Sequence, residues 1–176
     1  MAKQTTTTSQ RVARAKMKLS APVSVRVEIV DILLTETAAK RQPLRGDLPL
    51  NFTMNGSVHT KTDKKENTIQ VQPRFTLTAK YDETDDDELL RIEAAFLLRY
   101  RVDSFTGLNK ANFDAFGELN GLFNVWPYWR EFVQSTTVRM GLPPLTLPVF
   151  RVPDVASTPG RHRPNHKPRA RSGMER

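Results

Sequence analysis

"FNVWPYWREFVQSTTVRMGLPPLTLPVF", residues 123–150, carries both tryptophans of the chain and decides how its C-terminal half folds. Trp129, Phe132, Val133, Thr136 and Met140 recur at spacings of three and four, the apolar stripe of an amphipathic helix. Pro127 is predicted in the first turn of that helix, where its missing N–H costs nothing. Gly141 suits the position just past the C-terminus, and Pro143 and Pro144 prevent continuation. Just upstream, "NKANFDAFGELNGLF" (109–123) sets Phe113, Phe116, Leu119 and Phe123 on a shorter helix, weakened by Gly117 and Gly121.

Before residue 103 the period is two. Val23, Val25, Val27 and Ile29 alternate with Ser24, Arg26 and Glu28, which predicts a half-buried strand that continues through "VDILL" with both faces apolar. Pro43, Gly46 and Pro49 break the pattern. Leu50, Phe52, Met54 and Val58 then share one side of a second strand, in which Gly56 reads as a bulge. "TKTDKKEN" is a charged turn. The third strand places Ile69, Val71, Phe75, Leu77, Ala79 and Tyr81 on one face; Pro73 predicts an edge or a bulge there, because proline donates no ladder bond. In the fourth, Leu90, Ile92, Ala94, Phe96, Leu98, Tyr100 and Val102 alternate with charged residues, and the acidic "DETDDDE" joins the two as a hairpin. Four strands followed by two helices predict an α+β fold: an antiparallel sheet with helices segregated to one face.

A chain of 176 residues fits one domain with tails, divided here into a basic arm (1–20, disordered or partly helical), a folded domain (21–156) and a basic disordered tail (157–176). The net charge of +8 sits at the ends. Lys3, Arg11, Arg14, Lys16 and Lys18 have no acidic neighbour, and Arg161, Arg163, Lys167, Arg169, Arg171 and Arg176 face only Glu175. The absence of cysteine excludes disulfides and thiolate metal sites and suits a cytoplasmic protein. No apolar run is long enough to span a membrane or to serve as a secretory signal.

Little catalytic chemistry is visible. His59 stands alone in the folded body, and His162 and His166 fall in the tail, so no metal site is expected. Asp82, Glu83, Asp85, Asp86, Asp87 and Glu88 lack the central glycine and distal glutamate of a calcium loop. No phosphate loop or nucleophile elbow occurs, so neither an enzyme nor a cofactor is expected. The basic tails make a nucleic-acid-associated protein the alternative, although neither contains an aromatic residue on which bases could stack. What remains is more aromatic surface around two short helices than so small a chain hides easily.

"WPYWREFVQSTTVRMGLPPLTL" resembles the signature of the SecB family of export chaperones, in which a helix opens with Pro-Tyr-x-Arg-Glu and exits through a Pro-x-Leu-x-Leu loop. Pro127, Tyr128, Arg130 and Glu131 match the first element; Pro144, Leu145 and Leu147 match the second. The form looks most like the SecB-like chaperones of toxin–antitoxin systems, which also carry Asp-Ile-x-Leu-Leu in the first strand, matched by Asp31, Ile32, Leu33 and Leu34. The resemblance implies a SecB-like fold, dimers paired into a tetramer, and unfolded clients (export preproteins or an antitoxin) held in apolar grooves without ATP or cofactor. Leu50, Phe52 and Met54 match the family's groove-lining strand; Phe113, Phe116, Leu122, Phe123 and Trp126 are expected to form the helical wall. Glu93 corresponds to an acidic contact for the SecA motor, and Glu36 is the nearest candidate on the first strand. Export members usually end in an acidic tail, whereas this one is basic.

Overall fold

The computed structural model describes residues 2–43, 50–81 and 88–150, with side chains from residue 11 onward. The loop 44–49, the acidic run Asp82–Asp87 and the tail 157–176, with His162 and His166, lie outside the described residues. Four strands, β1 (Val27–Arg41), β2 (Asn51–Asp63), β3 (Thr68–Lys80) and β4 (Leu90–Val102), form one antiparallel sheet in the order β1-β4-β3-β2. Thus β2, β3 and β4 follow as consecutive hairpins, and the β1–β2 connection crosses from one edge of the sheet to the other.

The period-two reading holds through β3 and β4, except that Tyr81, expected on the same face, lies just past the end of β3 and is half-buried. Ile69, Val71, Phe75, Leu77 and Ala79 are buried, as is every second residue of β4 from Leu90 to Val102. Pro73 is neither at an edge nor in a bulge. It lies in β3, an internal strand, and the pairing with β4 skips Gln72 and Pro73 and resumes in the same register at Arg74–Ala95. One missing donor is tolerated because the pairs on either side fix the register. Gly56 is not a bulge either. It pairs in unbroken register with Phe75, and a Cβ there would lie 3.3 Å from Phe75 Cδ1, so the glycine makes room for the ring.

The bulges are in β1 instead. Its pairing with β4 shifts between Ile29 and Asp31 and again between Leu34 and Glu36, leaving Val30 and Thr35 as extra residues. Thr35 Oγ1 donates to the Ala95 carbonyl at 3.0 Å. Directly opposed residues share a face, so partnership with the buried residues of β4 puts Val27, Ile29, Ile32 and Leu34 together on the helix side. Two phase flips explain why this strand looks apolar on both faces in the sequence.

The strand also starts later than its pattern suggests. Val23 and Val25 belong to the end of a helix and the turn after it, because α1 runs Ala2–Ser24 and Arg26 N–H closes on the Val23 carbonyl at 2.9 Å. The division placed after residue 20 falls inside this helix. Ser20 Oγ donates to Asn120 Oδ1 at 2.7 Å, Asn112 Nδ2 donates to the Leu19 carbonyl at 2.9 Å, and Val23 is fully buried.

The two expected helices are present but joined without a loop: α2 (Lys110–Phe116), one π turn (Gly117–Gly121) and α3 (Leu122–Arg139). Asn109 caps α2 in a reciprocal box with Asn112. Pro127 is therefore interior to α3 and not in a first turn; it deprives the Phe123 carbonyl of its helical donor. The extra residue of the π turn shifts the helical phase, so Phe113 and Phe116 face the core while Phe123, expected on the same stripe, is 54% exposed. Gly141 ends α3 as read, at φ 71°, and Leu142 N–H returns to the Thr137 carbonyl at 3.0 Å.

The glycines of the π turn let it sit on the sheet. A Cβ on Gly121 would come within 2.6 Å of Val71 Cγ1, and one on Gly117 within 2.0 Å of Thr60 Oγ1. Thr60 is half-buried on β2, whereas Val71 is a buried residue of internal strand β3. Gly121→Ala should therefore lower stability by about 1–3 kcal/mol despite alanine's better helix propensity. In thermal unfolding, adding Val71→Ala should cost less in the Gly121→Ala background than in the wild type, since the second truncation reopens the space.

Candidate binding surface

The helix layer is locked to the sheet by aromatic packing. Phe75 stacks on Trp129 (centroids 5.1 Å apart, planes 13° apart) and meets Trp126 and Phe96 edge-on at 6.0 and 6.2 Å. Tyr100 packs edge-on against Phe116 at 5.0 Å, and Phe105 lies 5.5 Å from Phe113. Of the expected helical wall, Phe113 and Phe116 are thus core residues that support the surface from behind, and Trp126 is almost fully covered. They are buried because α2 turns its stripe onto the sheet before the π turn changes phase.

The signature residues form one structural unit. After Gly141 the chain runs back along α3 as an extended strap. Thr137 Oγ1 accepts from Leu145 N–H at 3.1 Å, Arg130 Nε donates to the Leu147 carbonyl at 2.8 Å, and Trp126 Nε1 donates to the Pro148 carbonyl at 2.8 Å. Leu147 is buried, Leu145 is half-buried against the core, and Phe150 tilts onto Trp126 at 5.5 Å. Pro127, Tyr128, Glu131 and Pro144 are exposed. Helix and strap were recognisable as two sequence elements; the three hydrogen bonds show that each is the other's partner.

What stays open lies at the sheet edges and on the far side of α3. Phe52 and Met54, at 43% and 42% exposure, stand opposite Ala79 and Leu77 on the helix side of β2. Leu50 packs half-buried beside them. Among the described residues β2 has no neighbour beyond β3, so its outer N–H and C=O groups form a free edge. Phe123 does not join this patch. It lines a separate cavity of about 420 Å³ with Met17, Val25 and Leu119, while Leu122 is half-buried against the core. That α1 would supply one wall of a cavity was missed in the sequence; Ala13, Met17, Ser20 and Val23, at helical spacing among good helix formers, were the available signal.

The other face of the sheet is polar, and the acids that β1 and β4 place on it are all paired. Glu93 accepts from Arg91 Nε and Nη2 at 2.9 and 2.7 Å and from Thr76 Oγ1 at 3.4 Å. Glu36 takes a two-pronged bond from Arg74, 2.7 Å on each oxygen, reaching across the small Ala95 of β4. Asp31 is held by Arg99 and Glu28 by Arg101. Every described acid of β1 and β4 is therefore paired with an arginine. Hydrogen bonding from those guanidinium groups holds the Asp31, Glu36 and Glu93 carboxyls below their usual range. The two expected motor contacts, Glu93 and Glu36, are neutralised within the chain. His59 is exposed on the polar face of β2 opposite Gln72, and among the described residues no cluster of three or more His, Asp or Glu could hold a metal ion.

The fold is SecB-like. The chain superposes on the SecB-like chaperone Rv1957 of Mycobacterium tuberculosis, in complex with a ChAD peptide from the Rv1956 HigA1 antitoxin. The TM-score is 0.67 at 22% identity, over 77% of this chain and 99% of that one. A protein of unknown function from Streptococcus agalactiae matches at a TM-score of 0.40 and 11% identity, over 69% of this chain and 96% of that one, and carries no argument. No protein-family model and no curated protein matches the chain at significance.

Carboxyls that titrate lower in the folded chain than in the unfolded one stabilise it above the ordinary carboxylate range and lose that effect as pH falls below about 4. Thermal unfolding should accordingly show a drop in midpoint between about pH 5 and pH 3. The pairs are exposed, so the drop should be modest, shrink in high salt, and be smaller in Glu36→Gln than in the wild type.

Proposed function

We propose that this chain is an ATP-independent chaperone that holds extended, non-native polypeptide segments in the manner of the SecB-like proteins it resembles. The observation that carries the reading is Phe52 and Met54 standing half-exposed beside the free edge of β2. A client strand can add its backbone to that edge, while an aromatic ring and a flexible thioether accept varied apolar side chains. Holding needs no bond-making, which fits a chain without a recognisable catalytic motif.

The client is better read as a dedicated cytoplasmic peptide, such as an antitoxin segment, than as an export preprotein handed to a motor. An acidic dock needs free carboxylates, and Glu28, Asp31, Glu36 and Glu93 each already hold an arginine. The peptide in the Mycobacterium tuberculosis structure points the same way.

Self-association as a dimer of dimers completes the reading. Ile29, Val30, Leu33 and Leu34 are exposed on β1, whose outer edge is also unpaired among the described residues. A second copy pairing there would cover them. Sedimentation should return a multiple of the 20.0 kDa chain mass, and Leu34→Glu should lower it.

The function is checked by aggregation of a chemically unfolded substrate after dilution. The chain should suppress light scattering at stoichiometric amounts without nucleotide. Phe52→Ser with Met54→Ser should weaken suppression several-fold while lowering the unfolding midpoint only by several degrees and leaving the fold intact by circular dichroism, because both side chains are only half covered. Full suppression by the double variant would remove β2 from the site.

A further inference from the structure

We infer that the outward flank of α1 is a second docking trough, selective for client segments in which apolar residues are followed by acidic ones. This rests on the client-holding reading above and names which clients are preferred.

Two cavities meet on α1. One, of about 420 Å³, is floored by Met17, Ala21, Val25, Leu119 and Phe123. The other is a shallow, solvent-open hollow bordered only by α1 residues: Arg11, Arg14, Ala15, Met17, Lys18 and Ala21. The first is walled on its far side by Leu119 and Asn120 of the π turn and by Phe123 of α3; the second is bordered by α1 alone, so beyond the shared Met17 and Ala21 the furrow opens onto the bare flank of the helix. One end is mostly apolar, with Ser20, Ser24 and Asn120 also in its lining, and the other is apolar at its floor with cations at its rim.

Arg11, Arg14 and Lys18 follow the i, i+3, i+7 pattern of a single stripe, about 10 Å long along the helix axis. The chain contains no acid before Glu28, so nothing on α1 neutralises them. The acid that reaches α1 across the helix layer, Glu118, is taken by Lys16 on the inward side. Among the described residues none of the three rim cations has a carboxylate partner. This sorting is the opposite of the sheet's polar face, where each acid of β1 and β4 has its arginine.

Charge complementarity thus asks for carboxylates at one end, and the floor asks for apolar side chains at the other. An extended or helical peptide meets both demands. A nucleic acid satisfies only the cations: it would leave Met17, Val25 and Phe123 against its phosphates, and the basic end has no aromatic side chain for a base to stack on. An anionic membrane needs a long continuous apolar stripe to insert, whereas Val12 and Leu19 are the only large apolar side chains that the described part of α1 exposes outside the furrow.

The test uses the full chain and a fluorescent 16-residue synthetic peptide with four leucines followed by four glutamates. Its control peptides carry glutamines or lysines in place of the glutamates. Anisotropy should show the glutamate peptide binding about tenfold more tightly than the glutamine peptide, with the difference fading as salt rises. Arg11→Glu with Arg14→Glu and Lys18→Glu should reverse the order, so that the lysine peptide binds best. All three positions are exposed, so circular dichroism and the unfolding midpoint should match the wild type. Equal binding of glutamate and glutamine peptides, or a glutamate preference that survives the reversal, overturns the inference. So does tighter, reversal-sensitive binding of a single-stranded DNA 16-mer or of phosphatidylserine vesicles. A change of assembly mass in the reversal variant would make the flank a subunit contact and would likewise overturn it. If the wild type suppresses aggregation but does not discriminate among the peptides, this inference alone fails. If it does neither, the client-holding reading fails with it.

Discussion

Phe75 is the residue on which the two layers depend. Its ring sits on the helix side of an internal strand, stacked on Trp129 and edge-on to Trp126 and Phe96. Burying one tryptophan side chain removes roughly 150–250 Å² from water, worth about 4–6 kcal/mol. That outweighs the about 1–3 kcal/mol lost by leaving the buried Trp129 indole N–H without a protein acceptor. The ring has room because Gly56 stands opposite it, and α3 can lie flat because Gly121 contacts Val71 without a side chain. Two glycines that look like defects in their elements are the conditions for close packing.

Once α3 is fixed, the strap follows. Trp126 and Arg130 present donors on one side of the helix at i and i+4, and the extended chain after Gly141 returns with its 147 and 148 carbonyls against them. Prolines 143, 144 and 148 suit a segment that needs no ladder of its own. The strap lies along that side of the helix, with Leu147 buried and Phe150 on Trp126, and does not cover the N-terminal half of β2. Phe52 and Met54 stay exposed on that half of the strand.

The sequence was legible where one signal dominated. Alternation in β3 and β4, the Gly141 stop and the helix-and-strap signature all follow from side-chain type at fixed spacing. It was misleading where the backbone changed phase. The Val30 and Thr35 bulges make β1 look two-sided, and the π turn carries Phe123 off the stripe that Phe113 and Phe116 define. Pro73 failed as an edge marker because register is set by many pairs and one missing donor does not move it. Val23 and Val25 imitated a strand because two valines at period two also fit the end of a helix. For the candidate site, the β2 residues were visible as an apolar alternation. The burial of Phe113 and Phe116 was not, since a stripe does not say which of its members will end up in the core.

The phase changes also decide where apolar surface is left over. A regular β1 would send alternate residues to the polar face, among the arginine–carboxylate pairs. With its two bulges the strand instead gathers Val27, Ile29, Ile32 and Leu34 on the helix side while Glu28, Asp31 and Glu36 reach their arginines. A regular helix from Lys110 would keep Phe123 with the core; the π turn hands it to α1. Among the described residues, each acid of β1 and β4 on the polar face holds an arginine, while apolar side chains stay exposed at the β1 edge, the β2 edge and the flank of α1. Each opening combines apolar side chains with something unsatisfied, a strand edge in two cases and unpaired cations in the third. Apolar surface alone does not discriminate among partners, whereas an unpaired ladder asks for an extended strand and an uncompensated cation asks for an acid.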